Sequence, residues 1–199
     1  MDREGTIKKY LREGEKDIRL FGTQGMPADV PDALVFIESD CAEIVDVLKN
    51  KKNAAAPVKR IIVQMCVNHA HLRGWLKNNG YIIYGEDLWK EGDAFCATTA
   101  AVIENMAGED EIKEAERAAY AEVHYYGKEE TYNEFPLLLR VNNNRVLPEY
   151  VFFKIAEETK IANDIVGASL PEEMLQKKRQ AMARAHLYGI AGNAMYPID

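Results

Sequence analysis

Polar side chains that could contact a ligand follow two apolar stretches that we predict to be buried strands. One stretch is Ala33–Ile37 and the other covers residues 60–65. Open α/β sheets bind their ligands at the carboxyl ends of their strands, so residues in these places are candidates for a substrate site or for the remains of one. The candidate residues are Glu38, Ser39, Asp40, Gln64 and Asn68.

The same residues also have a simpler interpretation. A side-chain oxygen from Ser39 or Asp40 is what the first turn of a helix beginning at Ala42 needs as an N-cap. Glutamine at a strand end, as at Gln64, is common in turns. The sequence leaves both interpretations open, and it identifies no catalytic residue.

Two histidines in an H-x-H arrangement raise the question of a metal site. His69 and His71 lie in a segment that Leu72, Trp75 and Leu76 mark as helical, because these residues share one helix face. Residues two apart in a helix point about 200° away from each other, so the two rings cannot share a metal ion. We therefore predict no metal.

One basic cluster lies near the carboxyl end of the chain. Long basic side chains on a projecting helix can contact RNA phosphates. Glu172 and Glu173 lie close by, so an ordinary solvated helix face is the alternative. The candidate RNA-contacting residues are Lys177, Lys178, Arg179 and Arg184.

The charge of the chain is concentrated in one segment. The net charge is −7, and residues 104–135 alone carry ten acidic and three basic side chains. The rest of the chain is balanced and presents no strongly basic face of the kind that displaces counterions from nucleic acid. This distribution weighs against RNA binding by the chain alone, and it indicates that the helix predicted over residues 108–123 is solvated.

Composition and cysteine usage indicate a cytoplasmic protein. Cys41, Cys66 and Cys96 form no C-x-x-C motif, and each adjoins an apolar run, so we predict three reduced, buried thiols. The apolar runs are shorter than the roughly 20 residues that span a bilayer, and the first 19 residues are charged throughout. We expect no membrane association.

The predicted elements follow an α/β order. Strands at 17–21, 33–37 and 60–65 alternate with helices, and strands at 81–88 and 94–103 form an antiparallel hairpin. Two helices, 148–164 and 171–188, then pair as a helical hairpin. This order is typical of a partial Rossmann-like methyltransferase sheet with a terminal antiparallel hairpin, followed by a C-terminal helical hairpin.

Three motifs resemble the bacterial tRNA (adenine-N1)-methyltransferases. The run that starts at Asp32 and continues through Leu48 is similar to the family's D-x-I-V-I-A-G-M-G-G-x-L-I-x-x-I-L. Residues 60–88, with the segment L-R-G-W-L-K-N-N-G-Y-I-I, are similar to R-L-I-L-Q-P-N … L-R-x-W-L-x-x-N-G-Y-x-I. Pro136–Arg140 with Glu149 and Tyr150 resembles the start of the family's C-terminal coiled-coil helices. The resemblance implies S-adenosylmethionine as cofactor and tRNA as substrate.

The departures from the family motifs imply lost catalysis. The family's glycine-bearing donor loop has no counterpart here and should lie upstream of residue 1. Its A-G-M-G-G segment corresponds to residues 38–42, where side chains replace glycines that let the methyl donor approach the backbone. R-L-G-D-G becomes R-L-F-G-T, and Q-P-N becomes Q-M-C, so two further expected site residues are missing.

These observations lead to one hypothesis and one alternative. The hypothesis is a degenerate or truncated relative that is not catalytic alone, needs no cofactor by itself, and acts as a binding or scaffold module. The alternative is a tRNA methyltransferase whose donor-binding segment comes from another chain or from a missing N-terminal part, with S-adenosylmethionine as cofactor. We expect a homo-oligomer or a second protein chain to cover an exposed sheet edge. The predicted divisions are a truncated Rossmann-like domain (1–103), an acidic helical insert (104–135) and a helical region (136–199).

Overall fold

Five strands form one mixed sheet in the computed structural model of the chain, which describes residues 3–11, 18–21, 33–37, 40–52, 58–66, 69–125, 129–167 and 169–195. The strands are β1 (Ile18–Phe21), β2 (Ala33–Ile37), β3 (Arg60–Met65), β4 (Tyr81–Glu91) and β5 (Ala94–Ile103). Their spatial order is β1-β2-β3-β5-β4, with the first three parallel and β5 antiparallel to both of its neighbours. The predicted α/β fold with a terminal antiparallel hairpin is confirmed.

Helices cover both faces of the sheet, which explains why β2 and β3 are continuous apolar runs. The helices α2 (Cys41–Lys52) and α3 (His69–Asn78) pack on one face, where Leu34 and Phe36 of β2 belong to their core. The helix α1 (Arg3–Lys9) packs on the other face, against Val35. Alternate residues of one strand therefore reach two different hydrophobic clusters.

The sheet ends at β1 on one side. This strand pairs with β2 in parallel over four residue pairs, from Ile18 with Ala33 to Phe21 with Phe36. The edge of β2 is therefore occupied by a strand of the same chain. The open edge that the sequence predicts lies along β1, the outermost strand on this side among the described residues.

Five α-helices follow the sheet among the residues that the structure describes. They are α4 (Glu109–Tyr125), α5 (Glu129–Glu134), α6 (Leu137–Val141), α7 (Leu147–Asp164) and α8 (Glu172–Met195). The last two contact each other along their length and form the predicted helical hairpin. Among the described residues, no helix is long and apolar enough to cross a membrane.

The acidic composition of α4 predicts a solvated surface helix. In the structure, however, part of α4 is buried against the sheet. Glu111 is buried and pairs with buried Arg60 of β3 at 2.6 Å, and Ala118 joins the main core cluster. Arg60 lies at the start of its strand, so this ion pair fixes α4 to the sheet. The three divisions predicted from the sequence remain a prediction.

Candidate functional site

Three elements meet where the parallel strands end. β4 runs in the same direction as β3, because both are antiparallel to β5, so the β4–β5 turn lies at the carboxyl-terminal edge of the sheet. A pocket of about 440 Å³ opens there, between this edge and α7. Its lining comes from the end of β3, the start of α3, the β4–β5 turn, the end of α5, and α7. The lining residues used below are Cys66, His69, Phe95, Glu134, Tyr150, Phe153, Lys154 and Glu157.

Local structure explains how these side chains converge. Gly92 in the β4–β5 turn has a φ of 60°, a left-handed conformation that glycine adopts without steric cost, and the tight turn brings Phe95 to the sheet edge. Phe153 and Lys154 lie three and four residues after Tyr150 in the helix, so the three side chains share one face of α7. That face is directed toward the sheet.

Aromatic rings form one wall of the pocket. The Phe95 ring centroid lies 5.3 Å from that of Tyr150 and 5.0 Å from that of Phe153. Phe95 and Tyr150 are buried, whereas Phe153 keeps 43% of its surface exposed. A partly exposed ring beside two buried ones offers a surface on which a flat ligand can stack.

A hydrogen-bonded chain of side chains forms the polar part of the pocket. The Tyr150 hydroxyl donates to Oε1 of Glu134. His69 Nε2 lies 3.3 Å from the backbone oxygen of Glu134 and 3.1 Å from the Tyr150 Oη. A backbone oxygen can only accept, so we assign the ring proton to Nε2. Lys154 Nζ lies 3.6 Å from Glu134 Oε1 and donates to Glu157 at 2.7 Å.

The surroundings set the charge of these groups. Burial lowers the pKa of His69 below its ordinary value, so the ring is neutral at pH 7. Burial, together with the charge of Glu134, raises the pKa of Tyr150, so its hydroxyl stays protonated and remains a donor. Burial by itself would lower the pKa of Lys154, but Glu134 and Glu157 outweigh it and raise the pKa, so the ammonium stays charged.

A second pocket, of about 360 Å³, lies between α3, α4 and β4. Its principal charged groups are engaged within the protein. The guanidinium of buried Arg73 donates to Glu86 and to the backbone oxygens of Tyr132 and Asn133. We therefore place the candidate site at the sheet edge.

The two substrate-site residues predicted from the sequence that the structure describes, Asp40 and Gln64, do not line the pocket. Asp40 is exposed and its Oδ1 accepts the Ala42 backbone N–H at 2.7 Å, so it caps α2, in agreement with the simpler interpretation. Gln64 is buried between Ile37 of β2 and Thr98 of β5, and it does not line the pocket. Glu38, Ser39 and Asn68 lie outside the described residues.

Two of the four residues in the basic cluster on α8 help to hold the helical hairpin, and a third pairs within α8. Arg184 donates two hydrogen bonds to Glu158 of α7, at 2.7 and 2.9 Å. Lys178 donates to the backbone oxygen of Ile165, and Arg179 pairs with Glu172 at 3.3 Å. Lys177 is exposed. The RNA contact predicted for these residues stays a prediction.

The prediction of three reduced thiols is wrong for two of the cysteines. Cys66 follows β3 and Cys96 lies in β5, and antiparallel pairing of these strands places the two Cα atoms 3.9 Å apart, joined by a disulfide. Thirty residues separate them in the chain, so sequence spacing alone conceals the pairing. Cys41 is free and buried, as predicted.

Sequence analysis missed the residues of this pocket as a site. In the sequence, His69 is a candidate only for a metal site, and Tyr150 is only part of a family motif. Phe95, Glu134 and Phe153 belong to separate elements, so no local spacing connects them. The one usable signal was the Glu149–Tyr150 motif, which marks a family position on the helix that faces the sheet.

The arrangement suits a flat heterocycle with polar edges. Phe153 offers stacking area, and Glu134 and His69 carry hydrogen-bonding groups and line the same pocket. Stacking on aromatic side chains, with polar groups at the ring edge, is how proteins hold single unpaired bases.

The sheet order and the helical additions place the chain in the Rossmann-like methyltransferase class of α/β folds. Within this class, the chain belongs to the TrmK family, described as tRNA (adenine(22)-N(1))-methyltransferase, whose profile matches residues 29–185. No curated protein sequence matches the chain significantly.

Solved structures show the same fold. The Bacillus subtilis m1A22 tRNA methyltransferase TrmK superposes with a TM-score of 0.62 at 20% identity, over 81% of this chain and 63% of that one. A Streptococcus agalactiae protein of the NADB-Rossmann superfamily gives 0.59 at 18% identity, over 82% and 61%. M. capricolum TrmK in complex with S-adenosyl-homocysteine gives 0.52 at 17% identity, over 83% and 61%. The chain thus spans about three fifths of the length of these relatives.

Proposed function

We propose that this chain is an RNA-binding member of its family, that it holds an unpaired base of tRNA in the pocket at the sheet edge, and that it does not transfer a methyl group by itself. The observation that carries the proposal is the convergence of Phe95, Tyr150 and Phe153 with Glu134 at the carboxyl ends of the strands. Family membership supports tRNA as the source of the base.

The residues after β2 do not fit a bound methyl donor. In the family pattern this segment consists mostly of glycines, which let the donor approach the backbone. Here residues 38–42 all carry side chains, and the Asp40 carboxylate already accepts a backbone N–H of the first turn of α2. A helix N-terminus satisfied by its own cap is less available to a ligand. We derive no methyl-transfer step for the chain alone.

Replacing Phe153 by alanine tests the pocket. Stacking of one base on an aromatic side chain is worth about 1–3 kcal/mol, so Phe153→Ala should weaken binding of unmodified tRNA about tenfold. The neighbouring Phe152 is 71% exposed and does not line the pocket, so Phe152→Ala is the matched control and should bind as the wild type does.

The measurement is fluorescence anisotropy of labelled tRNA, titrated with each of the three proteins at constant salt. Equal affinities of Phe153→Ala and wild type would contradict the proposal. A basic surface such as the α8 cluster would then be the better candidate, and Lys177→Ala would test it.

A second candidate function is methyl transfer with the donor-binding segment supplied by another chain. Family membership favours it, as does the S-adenosyl-homocysteine bound to M. capricolum TrmK. The position beside β2 is taken by β1, so such a segment would have to extend the sheet at the outer edge of β1. The homo-oligomer or second chain predicted from the sequence would use the same edge. Light scattering of the purified chain, with and without tRNA, distinguishes a 22.5 kDa monomer from an assembly.

A further inference from the structure

We propose that Glu134 selects the base by accepting a hydrogen bond from an exocyclic amino group on its edge. A purine without that amino group would bind less tightly. This inference rests on the proposed function, because it assigns a role within the same pocket.

The carboxylate of Glu134 is shielded but incompletely used. Its side chain is 12% exposed and lines the pocket. Oε1 accepts from the Tyr150 hydroxyl and faces Lys154, whereas Oε2 has no hydrogen bond to any residue that the structure describes. Oε2 is not cut off from solvent, so a ligand N–H that enters the pocket can replace water there and make a charge-assisted hydrogen bond.

The carboxylate is also held in place before a ligand arrives. His69 fixes the Tyr150 hydroxyl, and the Tyr150 ring packs edge-on against Phe135 at 5.8 Å. Because Tyr150 then donates to Oε1, the remaining oxygen has a fixed direction. A preorganised acceptor loses little conformational freedom on binding, and this makes it selective.

Hydrogen-bond chemistry sets the direction of the preference. An ionised carboxylate accepts and cannot donate. The 6-amino group of adenine is a donor, whereas purine riboside carries only hydrogen at that carbon and keeps the same N1 acceptor, so it offers Oε2 no donor.

Two RNA probes that differ at this one position test the inference. Each is a fluorescein-labelled oligouridine nonamer with a single central purine, adenosine in one and purine riboside in the other. A well-placed hydrogen-bonding pair is worth about 1–3 kcal/mol of base discrimination, so the wild-type chain should prefer the adenosine probe by about tenfold. In Glu134→Gln the ratio should fall toward one, because a neutral amide oxygen is a weaker acceptor than an ionised carboxylate.

The matched control is Glu149→Gln. Glu149 is an exposed carboxylate on the same helix as Tyr150, it pairs with Lys90, and it lies outside the pocket lining. It should keep the wild-type ratio. Thermal unfolding of both variants confirms that they are folded before the ratios are compared.

The outcomes separate this inference from the proposed function. One set of results overturns the role of Glu134 but leaves the pocket in place. In it, wild type binds both probes, Phe153→Ala weakens binding, and Glu134→Gln leaves the ratio of the two affinities unchanged. If wild type binds neither probe, or if Phe153→Ala has no effect, the proposed function fails and the role of Glu134 fails with it. A ratio that collapses only in Glu134→Gln supports the assignment.

Discussion

At the scale of single residues, the pocket depends on side chains that are buried and must keep one protonation state. His69 is the clearest case. It is 6% exposed, and its Nε2–H faces both the backbone oxygen of Glu134 and the Tyr150 hydroxyl. Protonation would place a positive charge in a desolvated position, and this cost makes the chain sensitive to pH.

We expect the free energy of unfolding to fall as the pH drops from 7.5 to 5.5. Burial lowers the pKa of His69 in the folded state, so over this range the unfolded chain binds more protons, and stability rises with pH. One such group contributes at most about 1.4 kcal/mol per pH unit below its ordinary pKa.

Urea denaturation at the two pH values measures this dependence. In His69→Gln, an amide N–H can replace Nε2–H and does not titrate, so the loss at low pH should be smaller. An equal loss in both proteins would assign the dependence to other groups.

A buried ion pair provides the second test at this scale. Arg73 and Glu86 are each 2% exposed, with 2.5 Å between Nε and Oε1. Removing one charge from a buried pair leaves the other uncompensated, at a cost of about 3–5 kcal/mol. Glu86→Gln should therefore lower the urea midpoint strongly, although its side chain keeps almost the same shape.

The comparison is Glu149→Gln, in which the lost carboxylate is half exposed and pairs with an exposed lysine. Its midpoint should remain close to that of wild type. If the two glutamine variants had equal midpoints, burial would not be what makes the Arg73–Glu86 pair important.

At the scale of elements, hydrophobic pattern and turn residues predict most of the secondary structure. The strand over 60–65 agrees with β3 residue for residue, and the hairpin forms around Gly92 and Asp93 as expected. These elements are predictable because alternation, apolar runs and glycine turns are local properties of the chain.

Contacts between elements were not predictable in the same way. The Arg60–Glu111 pair joins residues far apart in the chain, so a helix that its acidic composition marks as solvated is in fact docked on the sheet. The pocket likewise combines Phe95, Glu134 and Phe153 from three elements. Such pairings depend on strand order and helix packing, which a single sequence does not encode in any short spacing.

The disulfide between Cys66 and Cys96 makes a prediction at the element scale. It ties the end of β3 to the start of β5 beside the pocket and closes a loop of 30 residues. Closing a loop of this length stabilises the folded state by about 3–4 kcal/mol in the chain-entropy account. A dithiol reductant should therefore lower the free energy of unfolding of the wild type by that amount, and the urea midpoint should fall with it.

Cys66→Ser is the control, because Cys66 is exposed and its substitution disturbs no core contact. Its midpoint should match that of the reduced wild type and should not respond to reductant. Alkylation of the denatured, unreduced chain should modify one cysteine, Cys41. Modification of all three would contradict the disulfide.

At the scale of the whole molecule, the question is which part of methyltransferase function the chain retains. The sheet order and the helical hairpin are those of its family, whereas the segment after β2 differs where a donor would approach. If the proposed function is correct, the chain should bind RNA without binding the donor. Binding the two ligands separately is therefore the experiment that distinguishes a binding module from an enzyme.

Calorimetric titration of S-adenosylmethionine and S-adenosyl-homocysteine into the purified chain makes that distinction. We expect no binding in the micromolar range, because side chains occupy residues 38–42 and Asp40 caps the helix that follows. The same protein sample should bind labelled tRNA, which shows that it is active in binding. Micromolar affinity for either small molecule would mean that a donor site exists without the glycine loop, and methyl transfer to tRNA by the chain alone would then replace the binding-module proposal.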